Sequence, residues 1–271
     1  MGASGQVMLL TGCASGIGKH LMGRYLAAGY RVVATDIQSD AIANEAPDKL
    51  LVHPLDVRDA DAWEAVIAET LRAWGRLDVL INVAGYLRPG FLTDTDREDI
   101  SRHMRVNVEG LMLGTRAAAR HMRKQGHGHI INFGSLASLT PVPGLSLYSA
   151  SKHAVRGFTL AVGQELRREG IAVSLLLPDA VETPMLDAQV GHDAAALTFS
   201  GAKALTVEDV GEAVDRILRD RPIEISIPTS RGLIAKAAGL SPRLAQALEP
   251  VFRRMGRRKQ DGRRTRRSPP R

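Results

Sequence analysis

Val7-Met8-Leu9-Leu10-Thr11-Gly12-Cys13-Ala14-Ser15-Gly16-Ile17-Gly18 is the stretch that decides the fold. Four apolar residues, a glycine-rich loop and an amphipathic run reaching Gly29 read as strand, turn and helix. A dinucleotide site needs glycines at such a junction for a tight turn, for close approach of backbone to pyrophosphate and for packing of helix on strand. Gly12, Gly16 and Gly18 suit those tasks, and Ser15 and Ile17 lie in the same loop. The spacing is G-x-x-x-G-x-G rather than G-x-G-x-x-G, and the positive end of the helix faces the phosphates. A second apolar run, Tyr30-Arg31-Val32-Val33-Ala34-Thr35, ends in Asp36, where a carboxylate would take the hydroxyls of an adenosine ribose.

Strand-like runs recur near Leu50, Leu77, Ile130, Val173 and Ile223, with helical stretches between them. That alternation predicts an α/β fold: one doubly wound domain, its parallel sheet of about seven strands flanked by helices. The length of 271 residues permits one large domain or two small ones, but no repeat and no low-complexity linker divides the chain before its end. The expected organisation is a catalytic domain over residues 1–230, amphipathic helices over 231–255 and a basic, disordered tail over 256–271. From Arg253 onward ten Lys or Arg face one Asp, which exceeds the net charge of +7 of the whole chain. Before that block Leu233, Ala237, Leu240, Leu244, Leu248, Val251 and Met255 recur at threes and fours, with Ser241-Pro242 as an N-cap and first helical residue. Three readings of this end stand open: closure of the domain or a subunit contact, peripheral attachment to anionic lipid, and, least favoured, attraction to nucleic acid.

The single cysteine, Cys13, excludes an internal disulfide and a cysteine-based metal cluster; no metal site is expected and a reducing cytosol is the natural setting. Neither a basic-then-apolar leader nor an apolar run long enough to cross a bilayer is read, so a cytoplasmic location is expected.

The chemistry rests on Tyr148-Ser149-Ala150-Ser151-Lys152, which stacks a phenol and an ammonium four residues apart on one helix face. A free phenol has a pKa near ~10, so a tyrosine exchanges protons at neutral pH only where its phenolate is stabilised. A neighbouring lysine is expected to do that. Ser135 lies thirteen residues upstream.

From about Gln6 to Pro228 these motifs, in their order, resemble the short-chain dehydrogenase/reductases, nicotinamide-dependent oxidoreductases built on one Rossmann-type domain. Asn82-Val83-Ala84-Gly85 is similar to the family's Asn-Asn-Ala-Gly element, Asp56-Val57 to its adenine contact and Val106-Asn107-Val108 to the site of its catalytic asparagine. Pro178 to Pro184 is similar to the segment beside the nicotinamide, with Val181 within it and Thr183 where the carboxamide is bound. The resemblance implies that Tyr148 is the acid/base, Lys152 lowers its pKa and also binds cofactor, Ser135 donates to the reacting oxygen, and Asn107 holds a water beside Lys152. It also implies a homodimer or homotetramer assembled through helices around Glu109 and Ser151.

Asp36 with no cation at Ser15 or Ile37 predicts NAD as cofactor, because the 2′-phosphate of NADP would meet a like charge. At ~4 Å that repulsion is roughly 4 kcal/mol for an effective dielectric of about 20. Where the family has Pro-Gly this chain has Pro178-Asp179. Apolar segments 136–147 and 185–197, with Tyr86, suggest a hydrophobic alcohol or ketone meeting Tyr86, Leu136, Pro143, Asp179 and Met185. The expected function is hydride transfer between NAD and a secondary alcohol or ketone. The alternatives are an NADH-dependent ketone reductase built from the same residues, and a non-catalytic dinucleotide-binding protein whose basic tail holds a partner.

Overall fold

A computed structural model describes residues 5–267, with side chains to residue 264. Seven strands run in the order they were read: β1 (Val7–Thr11), β2 (Arg31–Asp36), β3 (Leu50–Pro54), β4 (Val79–Asn82), β5 (Gly128–Phe133), β6 (Ile171–Pro178) and β7 (Glu224–Ile227). They form one parallel sheet in the order β3-β2-β1-β4-β5-β6-β7. The order reverses between β1 and β4, and ligands of such sheets bind in the crevice outside the strand ends at that switch.

Parallel strands are covered on both faces, which is why β1 is an unbroken apolar run. Its Met8 and Leu10 join one core with Leu21 and Tyr25 of α1 (Gly16–Ala27) and Val210, Val214 and Ile217 of α7 (Val207–Asp220). Val7 and Leu9 face the other way. They meet Trp63 and Ile67 of α2 (Ala60–Trp74) and Ala118 and Met122 of α4 (Leu111–Gln125). Burying each such large side chain is worth roughly 1.5–3 kcal/mol. Between α3 (Arg97–Met104) and α4 the helix widens into a π-turn at Arg105–Gly110, which carries Asn107. The long α5 (Ser146–Arg167) then delivers the Tyr148 to Lys152 turn to the mouth of the sheet.

Past β6, the short α6 (Pro184–Asp187) and a 3₁₀ segment at Asp193–Ser200 cross the strand ends. After β7, α8 (Thr229–Leu240) and α9 (Pro242–Arg267) complete the described chain.

The expectation of disorder from residue 256 is corrected as far as Arg267, because α9 continues through it; residues 268–271 of that expected tail lie outside the described residues. Tertiary contacts account for the difference. Gly256 is buried so closely that a Cβ there would lie 1.8 Å from the Ala196 carbonyl oxygen. Beyond it Gln260, 5 % exposed, donates to the carbonyls of Gln189 (3.0 Å) and His192 (2.9 Å), Arg257 pairs with Asp193 (2.7 Å), and Arg263 pairs with Glu182. Charge repulsion along the helix is offset by acceptors on the 182–201 segment. Among the described residues no helix is long and apolar enough to cross a membrane.

Candidate active site

The glycine loop is shaped by steric necessity at three points. Gly12 (φ +74°) would put a Cβ 3.1 Å from the Ala84 Cα, and Gly16 (φ +53°) one 3.2 Å from Thr183 Cγ2. A Cβ on Gly18 would lie only 2.0 Å from the Gly12 carbonyl oxygen, so α1 can approach the turn only as glycine. Thr11 Oγ1 accepts the N–H groups of both Val83 and Ala84 at 3.0 Å and so joins this loop to the one after β4. No motif on either loop announced that contact.

Asp36 ends β2 with each carboxylate oxygen fixed, Oδ2 by the Ala14 N–H (3.0 Å) and Oδ1 by the Gln38 N–H (2.9 Å). Asp56 accepts the fork of Arg58 at 2.6 to 3.0 Å, and that guanidinium holds its carboxyl below the usual carboxylate range.

These residues line a cleft of about 1310 Å³ at the strand ends together with Val57, Gly85, Ser135, Tyr148, Lys152, Pro178, Val181 and Thr183. A single ligand usually occupies about 300–1,000 Å³, so there is room for a dinucleotide and a second molecule. The narrow glycine cradle, the helix N-terminus and the fixed carboxylate of Asp36 fit a dinucleotide. Tyr86, Leu136, Pro143, Asp179 and Met185 line the same cleft.

Asn82 and Asn107 stand outside its lining. Asn82, fully within the protein, donates to Asn132 Oδ1 (2.9 Å) and Thr115 Oγ1 (3.3 Å), and Asn132 donates on to Thr159 (3.1 Å). It therefore braces the loop of Ala84 and Gly85 from below. Asn107 grips the Tyr86 backbone in both directions, accepting its N–H (2.7 Å) and donating to its carbonyl (2.8 Å), while its other amide hydrogen reaches Ser151 Oγ (3.0 Å).

Tyr148 occupies the first turn of α5 and Lys152 the next. Ser135 is extended after β5, accepting the Ala137 N–H (3.1 Å) while Ser138 Oγ accepts the Ser135 N–H (3.2 Å), which fixes its hydroxyl at the cleft wall. Lys152, 4 % exposed, donates to the carbonyl of Phe133 (2.8 Å), and its Nζ stands 5.7 Å from the Tyr148 ring centroid.

Burial pushes the Tyr148 hydroxyl up to about 12, opposed by a hydrogen bond with Ser135, and burial draws the Lys152 ammonium down to about 8. Cys13 is inert: it is buried, its thiol is pushed up to about 12 by that burial, and it donates to the Leu10 carbonyl.

Three further groups shape the cleft, and no sequence motif placed them there. Arg231 of α8 holds Asp179 (2.8 Å), so the carboxylate that stands where a glycine was expected is neutralised rather than free. Asp99 accepts the Tyr86 hydroxyl (2.7 Å) and pairs with Arg88 (3.1 Å), while the Arg102 guanidinium lies 4.4 Å from the Tyr86 ring centroid. Tyr86 is thus a fixed polar-edged wall rather than a free apolar one. From α9, Ala245, Leu248 and Phe252 line the cleft, as do Val142, Pro143 and Leu197. The periodic apolar stripe had left closure of the domain as one open reading of α9, but its target needed coordinates.

Residues 6–193 match the model of the short chain dehydrogenase family, and this chain belongs to that family. It is 38 % identical over 190 residues to 2-(R)-hydroxypropyl-CoM dehydrogenase of Xanthobacter autotrophicus, covering 66 % of this chain and 76 % of the relative. It is 37 % identical over 186 residues to 3-alpha-(or 20-beta)-hydroxysteroid dehydrogenase of Mycobacterium bovis, covering 68 % and 72 %. A short chain dehydrogenase/reductase from Burkholderia phymatum in complex with NAD superimposes with a TM-score of 0.81 at 25 % identity, over 90 % of this chain and 96 % of that one. Other solved neighbours hold NADH or NADP. The protein is therefore an oxidoreductase of the family whose relatives act on alcohol and ketone groups.

Proposed function

We propose that this chain transfers a hydride between NAD and a secondary alcohol or ketone with an extended apolar body. The observation that carries the reading is convergence: Ser135, Tyr148 and Lys152 meet in the cleft that the glycine cradle and Asp36 also line. A dinucleotide sensor would need the cradle and Asp36 alone. The nicotinamide, when bound, supplies the hydride acceptor or donor.

Tyr148 exchanges a proton with the substrate oxygen at its Oη, and Ser135 donates a hydrogen bond to that oxygen as its charge develops. Lys152, anchored on Phe133, keeps a cation under the Tyr148 ring. Lys152 and, when oxidised cofactor is bound, its positive ring would favour the phenolate of Tyr148 against the burial that raises its pKa. Both amide hydrogens of Asn107 and one lone pair of its oxygen already have protein partners.

NAD is favoured because both oxygens of Asp36 are fixed by backbone and Arg58, the nearby cation on the cleft wall, is already engaged by Asp56. An apolar substrate is favoured by Leu136, Val142, Pro143, Leu197, Leu248 and Phe252 on the walls and by the pairing of Asp179 with Arg231. A homodimer or homotetramer in the cytoplasm agrees with the habit of the family. Purified protein should reduce NAD, and NADP less well, with a panel of steroid, long-chain and terpenoid alcohols while Tyr148→Phe stays at the blank. A lower Michaelis constant for NADP than for NAD removes the cofactor assignment. No activity on any member of the panel in either direction removes the enzymatic one.

A further inference from the structure

We propose that the elbow of α8 and α9 docks on an anionic lipid bilayer, and that the cleft receives its substrate through the opening beside that elbow. Ile234, Pro242 and Gln246 both line the cleft and are exposed, so the cleft reaches the surface where α8 turns into α9. From the end of α8 along α9 large apolar side chains are exposed: Leu240 is 88 % exposed, Val251 57 %, Leu244 44 % and Met255 43 %. Leu244, Val251 and Met255 are spaced by seven and four residues, which places them on one face of α9. That face is opposite the one that Gly256 and Gln260 press against the 189–200 segment.

The cations of α9 divide the same way. Arg253, Arg257 and Arg263 turn inward to Glu249, Asp193 and Glu182. Arg243, Arg254 and Arg258 are exposed, and none of them has an ion pair among the described residues. Between residues 229 and 267 twelve Lys or Arg stand against two Asp or Glu. An apolar stripe flanked by free cations suits the boundary of acyl chains and anionic headgroups. A second copy of the chain apposed through this face would bring two sets of arginines together. Nucleic acid would use the cations but gain nothing from four exposed apolar side chains. The docking half of the proposal stands apart from the catalytic reading. The delivery half rests on the apolar-substrate reading, because only a lipid-soluble alcohol gains from an entrance in the bilayer surface.

The full chain would be sedimented with neutral phosphatidylcholine vesicles and with vesicles holding about 30 % phosphatidylserine. Two variants are compared: Leu240→Ser/Leu244→Ser/Val251→Ser/Met255→Ser, and Arg254→Glu/Arg258→Glu. None of these positions lines the cleft, so oxidation of a water-soluble alcohol serves as the folding control. Wild type should bind the anionic vesicles at least about tenfold more tightly than the neutral ones, and each variant should lose most of that binding. Turnover of a vesicle-borne alcohol should fall in both variants while turnover of the soluble one holds.

The proposal is overturned if wild type ignores anionic vesicles. It is equally overturned if binding survives the serine set and responds to charge alone, as plain attraction to a polyanion would, or if the serine set instead lowers the mass in sedimentation velocity, as a subunit interface would. Loss of vesicle binding with unchanged turnover of the vesicle-borne alcohol removes the delivery half. Absence of any oxidoreductase activity, with vesicle binding intact, counts against the catalytic reading and leaves docking standing.

Discussion

Gly18 and Gly256 meet the same steric demand at opposite ends of the chain. A Cβ on the first would lie 2.0 Å from the carbonyl of Gly12, and on the second 1.8 Å from the carbonyl of Ala196. In the nucleotide half the two backbones belong to one short loop, six residues apart, so the requirement is written locally. In the C-terminal half they belong to segments sixty residues apart, and nothing near Gly256 in sequence names its partner. The comparison teaches that a close approach is legible only where the chain returns on itself at once.

The two halves can be separated by experiment, and the largest effects belong to the strand-end cleft. Tyr148→Phe should lower kcat by about 100- to 10,000-fold, and Ser135→Ala by about 100- to 1,000-fold, with NADH affinity nearly unchanged in a fluorescence titration. A next, smaller effect sharpens the comparison of glycines. Gly18→Ala should weaken NADH binding by more than about tenfold, since α1 must retreat from the turn that its N-terminus serves. Gly256→Ala should leave NADH affinity within about twofold but raise the Michaelis constant of bulky apolar alcohols, because α9 carries Leu248 and Phe252 into the cleft. Equal loss of NADH binding in both would dissolve the distinction.

Asp36→Ala should move the ratio of kcat/KM for NAD over NADP by about tenfold towards NADP, equivalent to roughly 1.4 kcal/mol. An unchanged ratio would show that some other group sets the preference.

A separate effect, on stability rather than on turnover or binding, comes from the buried lysine. Lys152 titrates near about 8 when folded, against 10.5 for its ordinary value. Between those values the unfolded chain holds the proton and the folded one does not, so the contribution of this group to stability rises with pH across that window. Wild type should gain on the order of 2 kcal/mol in denaturant unfolding from about pH 7.5 to about pH 9.5, relative to the same interval for Lys152→Met. Parallel curves for the two proteins would mean that the buried cation is stabilised by something beyond the Phe133 carbonyl.

Much of the cleft was readable from sequence because its parts are short and contiguous: the glycine loop, the strand ending in Asp36, the helical turn from Tyr148 to Lys152. The structure brings all of them to one edge of the sheet. Asn82 and Asn107 were readable as positions but not as contacts, since their amides point to Asn132, Thr115 and the Tyr86 backbone across long sequence separations. Tyr86 and Asp179 line the cleft, and their polar partners were not readable. Asp99 and Arg231, which set their polarity, come from α3 and α8 and carry no motif. The basic end misled for a related reason: composition reports repulsion between neighbours, whereas Asp193, Glu182 and the carbonyls that receive α9 lie sixty or more residues upstream.

By itself the sequence determined the alternation that builds a parallel sheet, the site of the cradle at its switch point and the placement of Tyr148 and Lys152 on successive turns of one helix. Backbone sterics and helical periodicity act over a few residues, and the chain states them directly. Only the tertiary structure decided the burial of Lys152 against the Phe133 carbonyl, the neutralisation of Asp179 and the ordering of α9 along the cleft. Those depend on desolvation and on partners brought from distant segments, quantities that exist only once the chain has folded.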